Sequence, residues 1–341
     1  MSSQLKYACR CRGIDVHSHV VPADLPRYIG AKVPRDWPSM AAAHECHRHV
    51  MIDGSVYRTV SDRCWDTGKR VADMDDQRVA IQAISPMPEL LSYWMTAHDA
   101  LPLLQYMNGV IAMMVDDSDG RMLGLGAVPL QNIDLAIREL ERLMQTPGFA
   151  GVEIGSNING VPVGAAQFDP FFEAAESLGA AVFVHALRPT GKDRLVGPAQ
   201  LLQALAYPTD VGLAAASVIT SNLLVRRPRL RMAFSHGGGT LGSLLPRLQR
   251  ASEVFVPLRE SLQASPVEQA RKLYYDSLVF DAATLGHLLA LFGESQLMLG
   301  TDYPFAFREK NPVGQIESMH FDEPTVERLI YRNAQAFLAI S

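Results

Sequence analysis

The stretch Gly13-Ile14-Asp15-Val16-His17-Ser18-His19-Val20-Val21 decides how the chain is read. It is a short apolar strand that closes on two histidines one residue apart. Side chains alternate faces along a strand with a period of two, so His17 and His19 point the same way at its C-terminal end. Two imidazoles on one face are half of a metal site that needs distant ligands. A polar pair closing a strand is the plainer alternative.

Working outward from that strand, residues 1–11 form a polar lead-in, and the first strand is expected over about 12–16. Residues 22–46 contain Pro22, Pro26, Pro34 and Pro38 and predict an insertion of short helices and turns. A hairpin follows: two β-rich runs, 47–52 and 55–60, flank Asp53-Gly54, the strongest short-range hairpin signal. From there helix and strand alternate. Helices are expected near 68–78, 95–116, 132–145, 168–178, within 198–225, near 239–250, at 282–292 and at 323–338. Strands are expected at 79–84, 123–128, 151–154, 180–185, 230–236, 272–276 and 296–302. With the first strand that makes eight, mostly continuous apolar runs, as strands buried on both faces should be.

Eight such units in 341 residues predict an α/β fold, a (β/α)8 TIM barrel. The barrel would be one domain, 1–341, with a small helical and β-hairpin insertion, 22–66, over the mouth. An open doubly wound sheet is the runner-up. It loses ground because no Gly-x-Gly-x-x-Gly follows the first strand.

Composition narrows the function. The chain is 48% hydrophobic with a net charge of −5, and it has no Lys/Arg tract. Neither nucleic acid nor a membrane surface is expected as a partner. No apolar run approaches the roughly 20 residues needed to span a bilayer, and no leader pattern opens the sequence, so a cytoplasmic location is expected. The four cysteines, Cys9, Cys11, Cys46 and Cys64, are expected to be free thiols. Cys9-Arg10-Cys11 lacks the spacer of a zinc knuckle.

Barrel enzymes carry their chemistry at the C-terminal ends of the strands. There the unusual polar residues line up: His17 and His19 on strand 1, His185 on strand 5, His236 on strand 6 and Asp302 on strand 8. In a closed barrel these meet at one mouth. Imidazoles plus one carboxylate suit a borderline divalent ion, Zn²⁺ above all, with Mn²⁺ or another divalent ion possible. Strand 4 offers Glu153 rather than a lysine that could be carbamylated to bridge two metals, which favours one ion.

The set His17-x-His19, His185, His236-Gly237-Gly238-Gly239 and Gly300-Thr301-Asp302-Tyr303-Pro304-Phe305 resembles the amidohydrolase superfamily. It is most similar to the branch of non-oxidative decarboxylases that includes aminocarboxymuconate semialdehyde decarboxylase, over nearly the whole chain. The resemblance implies that His17, His19, His185 and Asp302 hold the metal. His236 would be the base that activates its water, so that His236 and Asp302 are the catalytic pair. It also implies that Arg58 grips a substrate carboxylate and that Arg247 reaches the neighbouring subunit's site in a homodimer. Arg247 sits about 12 Å along its helix from the mouth, at 1.5 Å per residue, and is poorly placed for its own site. Arginine's planar fork suits carboxylates.

The implied activity is metal-dependent decarboxylation of an unsaturated or aromatic carboxylate. Hydrolysis or hydration of a lactone, amide or ester is the alternative for the same metal site. The chain departs from the branch after strand 5, where His185-Ala186-Leu187-Arg188-Pro189 replaces a His-Pro-Trp-Asp sequence. Arg188 there would bind a second anionic group or bond the barrel rim. The cluster His44-Glu45-Cys46-His47-Arg48-His49 lies outside the branch pattern. His47 and His49 would share a hairpin face toward the pocket or toward solvent, or bind a second metal. Met87-Pro88-Glu89 and Tyr93-Trp94, after strand 2, are expected to line the pocket, with core packing an equal alternative for the aromatics.

Overall fold

The computed structural model describes residues 12–340; the lead-in and Cys9-Arg10-Cys11 lie outside them. Eight parallel strands follow one another in sequence order around one sheet. Strands 1 to 4 are Gly13–Val20, Val79–Pro86, Met122–Gly126 and Phe149–Gly155. Strands 5 to 8 are Ala181–His185, Arg231–Phe234, Tyr274–Asp276 and Leu297–Met298. Backbone bonds join the last strand to the first: Val16 N donates to Leu299 O (3.0 Å), Asp302 N to His17 O (2.9 Å) and His19 N to Tyr303 O (2.7 Å). These close the (β/α)8 barrel and draw the segment after strand 8 against the histidines of strand 1.

Strand 1 does not keep one phase. Its pairing with strand 2 shifts between Asp15 and Ser18, an irregularity that lets consecutive residues face the same side. Ile14 and Val16 pack inside with Phe183, Ala233 and Met298. Asp15 and Ser18 face the helix layer, where Arg70 of helix Thr67–Asp76 donates to Ser18 Oγ and Gln82 Oε1, and Gln82 Nε2 donates to Asp15 Oδ2. After the shift His17 and His19 both face the barrel axis, and the His17 ring lies 5.2 Å from that of Phe183.

Outside the barrel a second, larger apolar layer forms between strands and helices, for example Val182, Val184 and Phe234 against Phe171, Val211 and Leu245. Strand 5 shows both layers: Val182 and Val184 face outward, Ala181 and Phe183 inward.

The expected short helices of 22–46 are absent; the structure corrects that reading. Pro22, Pro26, Pro34 and Pro38 interrupt helical backbone, and Ser39–Ala42 instead adds a third strand to the hairpin His47–Ile52 and Ser55–Ser61. At its turn Asp53 and Gly54 both take left-handed φ, 53° and 71°, as a two-residue hairpin requires. Strand 8 is shorter than expected. Asp302 lies beyond its ladder at φ 64°, where the chain turns across the mouth. Among the described residues no helix is long and apolar enough to cross a membrane.

Candidate metal centre and active site

His17, His19, His185 and Asp302 offer ligand atoms that all lie within 4.8 Å of one another. Each histidine is fixed through its Nδ1. His17 Nδ1 meets Asp276 Oδ2 at 2.6 Å, His19 Nδ1 meets Pro86 O at 3.1 Å, and His185 Nδ1 meets Ala186 O at 2.8 Å. Acceptors on every Nδ1 draw a proton there and turn every Nε2 inward. Two consequences follow. His17 Nε2 and His19 Nε2 confront each other at 3.2 Å, and His185 Nε2 is buried with no hydrogen-bond partner among the described residues. Asp302 Oδ1 completes the cluster, 3.1 Å from His19 Nε2 and 3.7 Å from His17 Nε2. Inward Nε2 atoms, an orphaned nitrogen among them, and one carboxylate fit a divalent cation.

The electrostatics agree. Burial pushes His19 down and His185 well down from the ordinary imidazole value, so both stay neutral. Burial also opposes the charge on His17, but the Asp276 hydrogen bond and charge outweigh it and raise His17 to about 9. Without a metal the cluster therefore keeps one proton, which a divalent ion would displace. Asp302 stays ionised: burial works against it, but the adjacent His19 imidazole and the charge of His17 lower it.

His236 follows strand 6 in a left-handed conformation, φ 55°, with Gly237, Gly238 and Gly239 also at positive φ. Glycine is required at 239, where a Cβ would lie 1.9 Å from Pro208 O. This tight loop brings the His236 ring within 5.1 Å of His185 and 5.4 Å of His17. Its Nδ1 lies 3.1 Å from Ser235 Oγ. Burial, with His17 nearby, lowers it to about 4, so it is neutral and able to take a proton.

A cavity of about 250 Å³ opens on these groups, lined further by Arg58, Glu89, Tyr207, Leu278, Phe280 and Phe305. Phe305, from the Asp-Tyr-Pro-Phe segment, stacks on His19 at 5.3 Å and carries the Arg58 guanidinium 4.1 Å above its ring. Arg58 thus reaches the histidine cluster from the insertion hairpin.

The other singled-out residues lie elsewhere. Arg188 stacks 3.4 Å over Trp94 and pairs with Asp36 at 3.5 Å, and neither it nor Trp94 lines the central cavity. His47 lines an outer cleft that shares Arg58 and Phe305 with the cavity, and its ring lies 4.3 Å from that of His44. His49 bonds Thr59 Oγ1 at 2.9 Å. Arg247 is exposed on helix Leu241–Val254. Tyr93 is buried, with its hydroxyl accepting from Gly155 N, whereas Glu89 faces the cavity.

The sequence reading missed two acids. Asp276 supports His17, and its other oxygen accepts from Gly237 N at 2.7 Å and Leu278 N at 3.1 Å. The signal was available, since strand 7 ends on an aspartate as strand 8 leads to one. Asp15 accepts from His17 N, Gln82 Nε2, Thr301 N and Thr301 Oγ1. Glu153 is buried, accepts from Ser85 Oγ at 2.6 Å and lies 3.7 Å from His19 Nδ1. Burial raises it to about 8.

Residues 14–340 match the Amidohydrolase family, and the chain belongs to it. Among its relatives, the 2-amino-3-carboxymuconate-6-semialdehyde decarboxylase of Dictyostelium discoideum is 36% identical over 96% of this chain and 91% of its own. Metarhizium anisopliae IDCase shares the fold at TM-score 0.81 and 19% identity, covering 96% of this chain and 97% of that one. The dihydroxybenzoic acid decarboxylase of Polaromonas, solved with manganese and 2-nitroresorcinol, superposes at TM-score 0.74 and 22% identity over 82% of this chain and 87% of its own.

Proposed function

We propose that the protein is a metal-dependent carboxy-lyase that removes CO₂ from an unsaturated or aromatic carboxylate. One observation carries the reading: Arg58 is held over Phe305, itself stacked on His19, so a carboxylate-gripping cation shares a small, largely apolar cavity with a metal cluster. The 36% identical relative bears the name of a decarboxylase.

A divalent ion held by His17, His19, His185 and Asp302 would act as a Lewis acid and lower the pKa of water. Zn²⁺ suits three imidazoles and a carboxylate, while the Polaromonas relative holds manganese. His236 takes a proton on its imidazole. Arg58 aligns the substrate carboxylate by a two-pronged hydrogen bond, and Phe305 and Leu278 keep the cavity dry.

Arg247 serves the neighbouring site of a homodimer in this reading. It has no acidic partner among the described residues. Its helix exposes Leu244 and runs into exposed Val254, Phe255 and Val256, an apolar surface suited to a second copy. The barrel is one domain with 22–66 as its cover. The free thiols Cys46 and Cys64 agree with a reducing, cytoplasmic setting.

The test is CO₂ release by the metal-loaded protein from a panel of hydroxy-, amino- and dicarboxylated aromatics and muconates, run beside lactones, amides and esters. Decarboxylation of a panel member supports the reading. Turnover of the lactones, amides or esters alone would transfer the site to hydrolysis.

A further inference from the structure

Above Arg58 the cavity wall contains a carboxylate, Glu89, in the short turn Pro88–Leu91 after strand 2. It is only 8% exposed. Its Oε1 accepts hydrogen bonds from two phenols, Tyr207 at 2.8 Å and Tyr57. The two hydroxyls lie 3.4 Å apart. Tyr57 comes from the insertion strand Ser55–Ser61, and Tyr207 opens helix Tyr207–Thr220. Three separate elements therefore converge to fix one carboxylate. Burial and the Glu89 charge push both phenols up, so both remain donors.

Both donors fall on Oε1. Oε2 takes no hydrogen bond from any described residue. Oε2 faces the cavity that Glu89 shares with Arg58, whose charge offsets part of its own, but in a cavity that admits carboxylates a second carboxylate weakens their binding unless the ligand offers something in return. A hydroxyl or amino group on the ligand would supply the missing donor to Oε2. Sites built to hydrogen-bond a substrate donor reject analogues that lack it, because the site's own polar group is then left unpaired.

We propose that Glu89, fixed by Tyr57 and Tyr207, is the residue that selects carboxylates bearing a second substituent that donates a hydrogen bond, a hydroxyl or an amino group. The inference rests on the decarboxylase reading for the carboxylate and adds to it the second group on the substrate.

Binding tests it without turnover. Benzoate and its hydroxy-, amino- and methoxy-substituted forms, in each ring position, are titrated calorimetrically into the metal-loaded protein. At one ring position or more, the hydroxy and amino members are expected to bind about tenfold more tightly than the methoxy member, the scale of one charge-assisted hydrogen bond. In Glu89→Gln, whose amide oxygen is a weaker acceptor and whose amide nitrogen repels a donor, that preference should fall to about threefold or less. Glu89→Asp, which withdraws the oxygen by one methylene, serves if the glutamine variant does not fold. Equal affinities in the unaltered protein, failure of every donor-bearing member to bind, or a preference that survives both substitutions overturns the proposal. Absence of CO₂ release from every carboxylate would remove the decarboxylase reading and leave the binding result standing.

Discussion

Asp276 Oδ2 lies 2.6 Å from His17 Nδ1, with both side chains fully buried. The other Asp276 oxygen accepts from the backbone N–H of Gly237, next to His236. One carboxylate thus sets the tautomer of a candidate metal ligand and holds the loop that carries the candidate base.

Asp276→Asn keeps the shape but can offer His17 an N–H where it needs an acceptor. The His17 proton is then driven toward Nε2, the atom that faces the metal. Metal affinity is expected to fall about 10- to 100-fold. Competition with a chromophoric chelator measures it. Unchanged affinity would show that His17 does not depend on this bond.

His236 lies outside the four-ligand cluster, so its loss should separate binding from chemistry. His236→Ala is expected to retain its metal, measured by elemental analysis, while CO₂ release falls by about 10²- to 10⁴-fold. A parallel loss of metal would assign His236 to ligation instead.

Arg58 contributes through a planar guanidinium lying on a ring. Arg58→Lys keeps the charge and loses both the stacking and the fork. KM should rise about tenfold or more, with little recovery relative to Arg58→Ala. Steady-state kinetics with a good substrate from the panel decide it; full rescue by lysine would reduce Arg58 to a point charge.

Gly300 separates strand 8 from Asp302. A Cβ there would lie 2.7 Å from Asp276 Cβ and 3.1 Å from His17 Cβ. Gly300→Ala is expected to cost about 1–3 kcal/mol of stability and to lower metal content, because the displaced atoms belong to the ligand support. Urea unfolding and metal analysis report the two effects.

Asp15→Ala would orphan four donors at the seam where strand 8 meets strand 1. A loss of about 3 kcal/mol or more is expected, read from urea unfolding. A much smaller loss would mean that water or a rearranged Gln82 replaces the carboxylate.

Much of the cluster is legible in the sequence. The cluster of His17, His19, His185, His236 and Asp302 is legible because each residue stands at or just past the C-terminal end of an apolar strand run, and a barrel gathers those ends. Asp276 stood at the end of strand 7 and was passed over, because its partner His17 is 259 residues away and nothing local indicates the contact. The prolines of 22–46 mark breaks without indicating that Ser39–Ala42 joins the hairpin as a third strand. Arg188, expected to bind a second anionic group or to bond the barrel rim, and Trp94, expected to line the pocket or pack in the core, stack on each other outside the central cavity.

By itself the sequence determined the number and order of the β/α units, the hairpin at Asp53-Gly54 and the chemical identity of the cluster. These depend on local periodicity, turn chemistry and residue type. Tertiary structure alone decided the phase of strand 1. Period-two alternation from Ile14 and Val16 would carry His17 outward, and the register shift between Asp15 and Ser18 turns it in. It also decided that Tyr57, Glu89 and Tyr207 meet, and that Asp276 reaches His17. Those contacts join elements distant in sequence, and only closure of the barrel brings them within hydrogen-bond range.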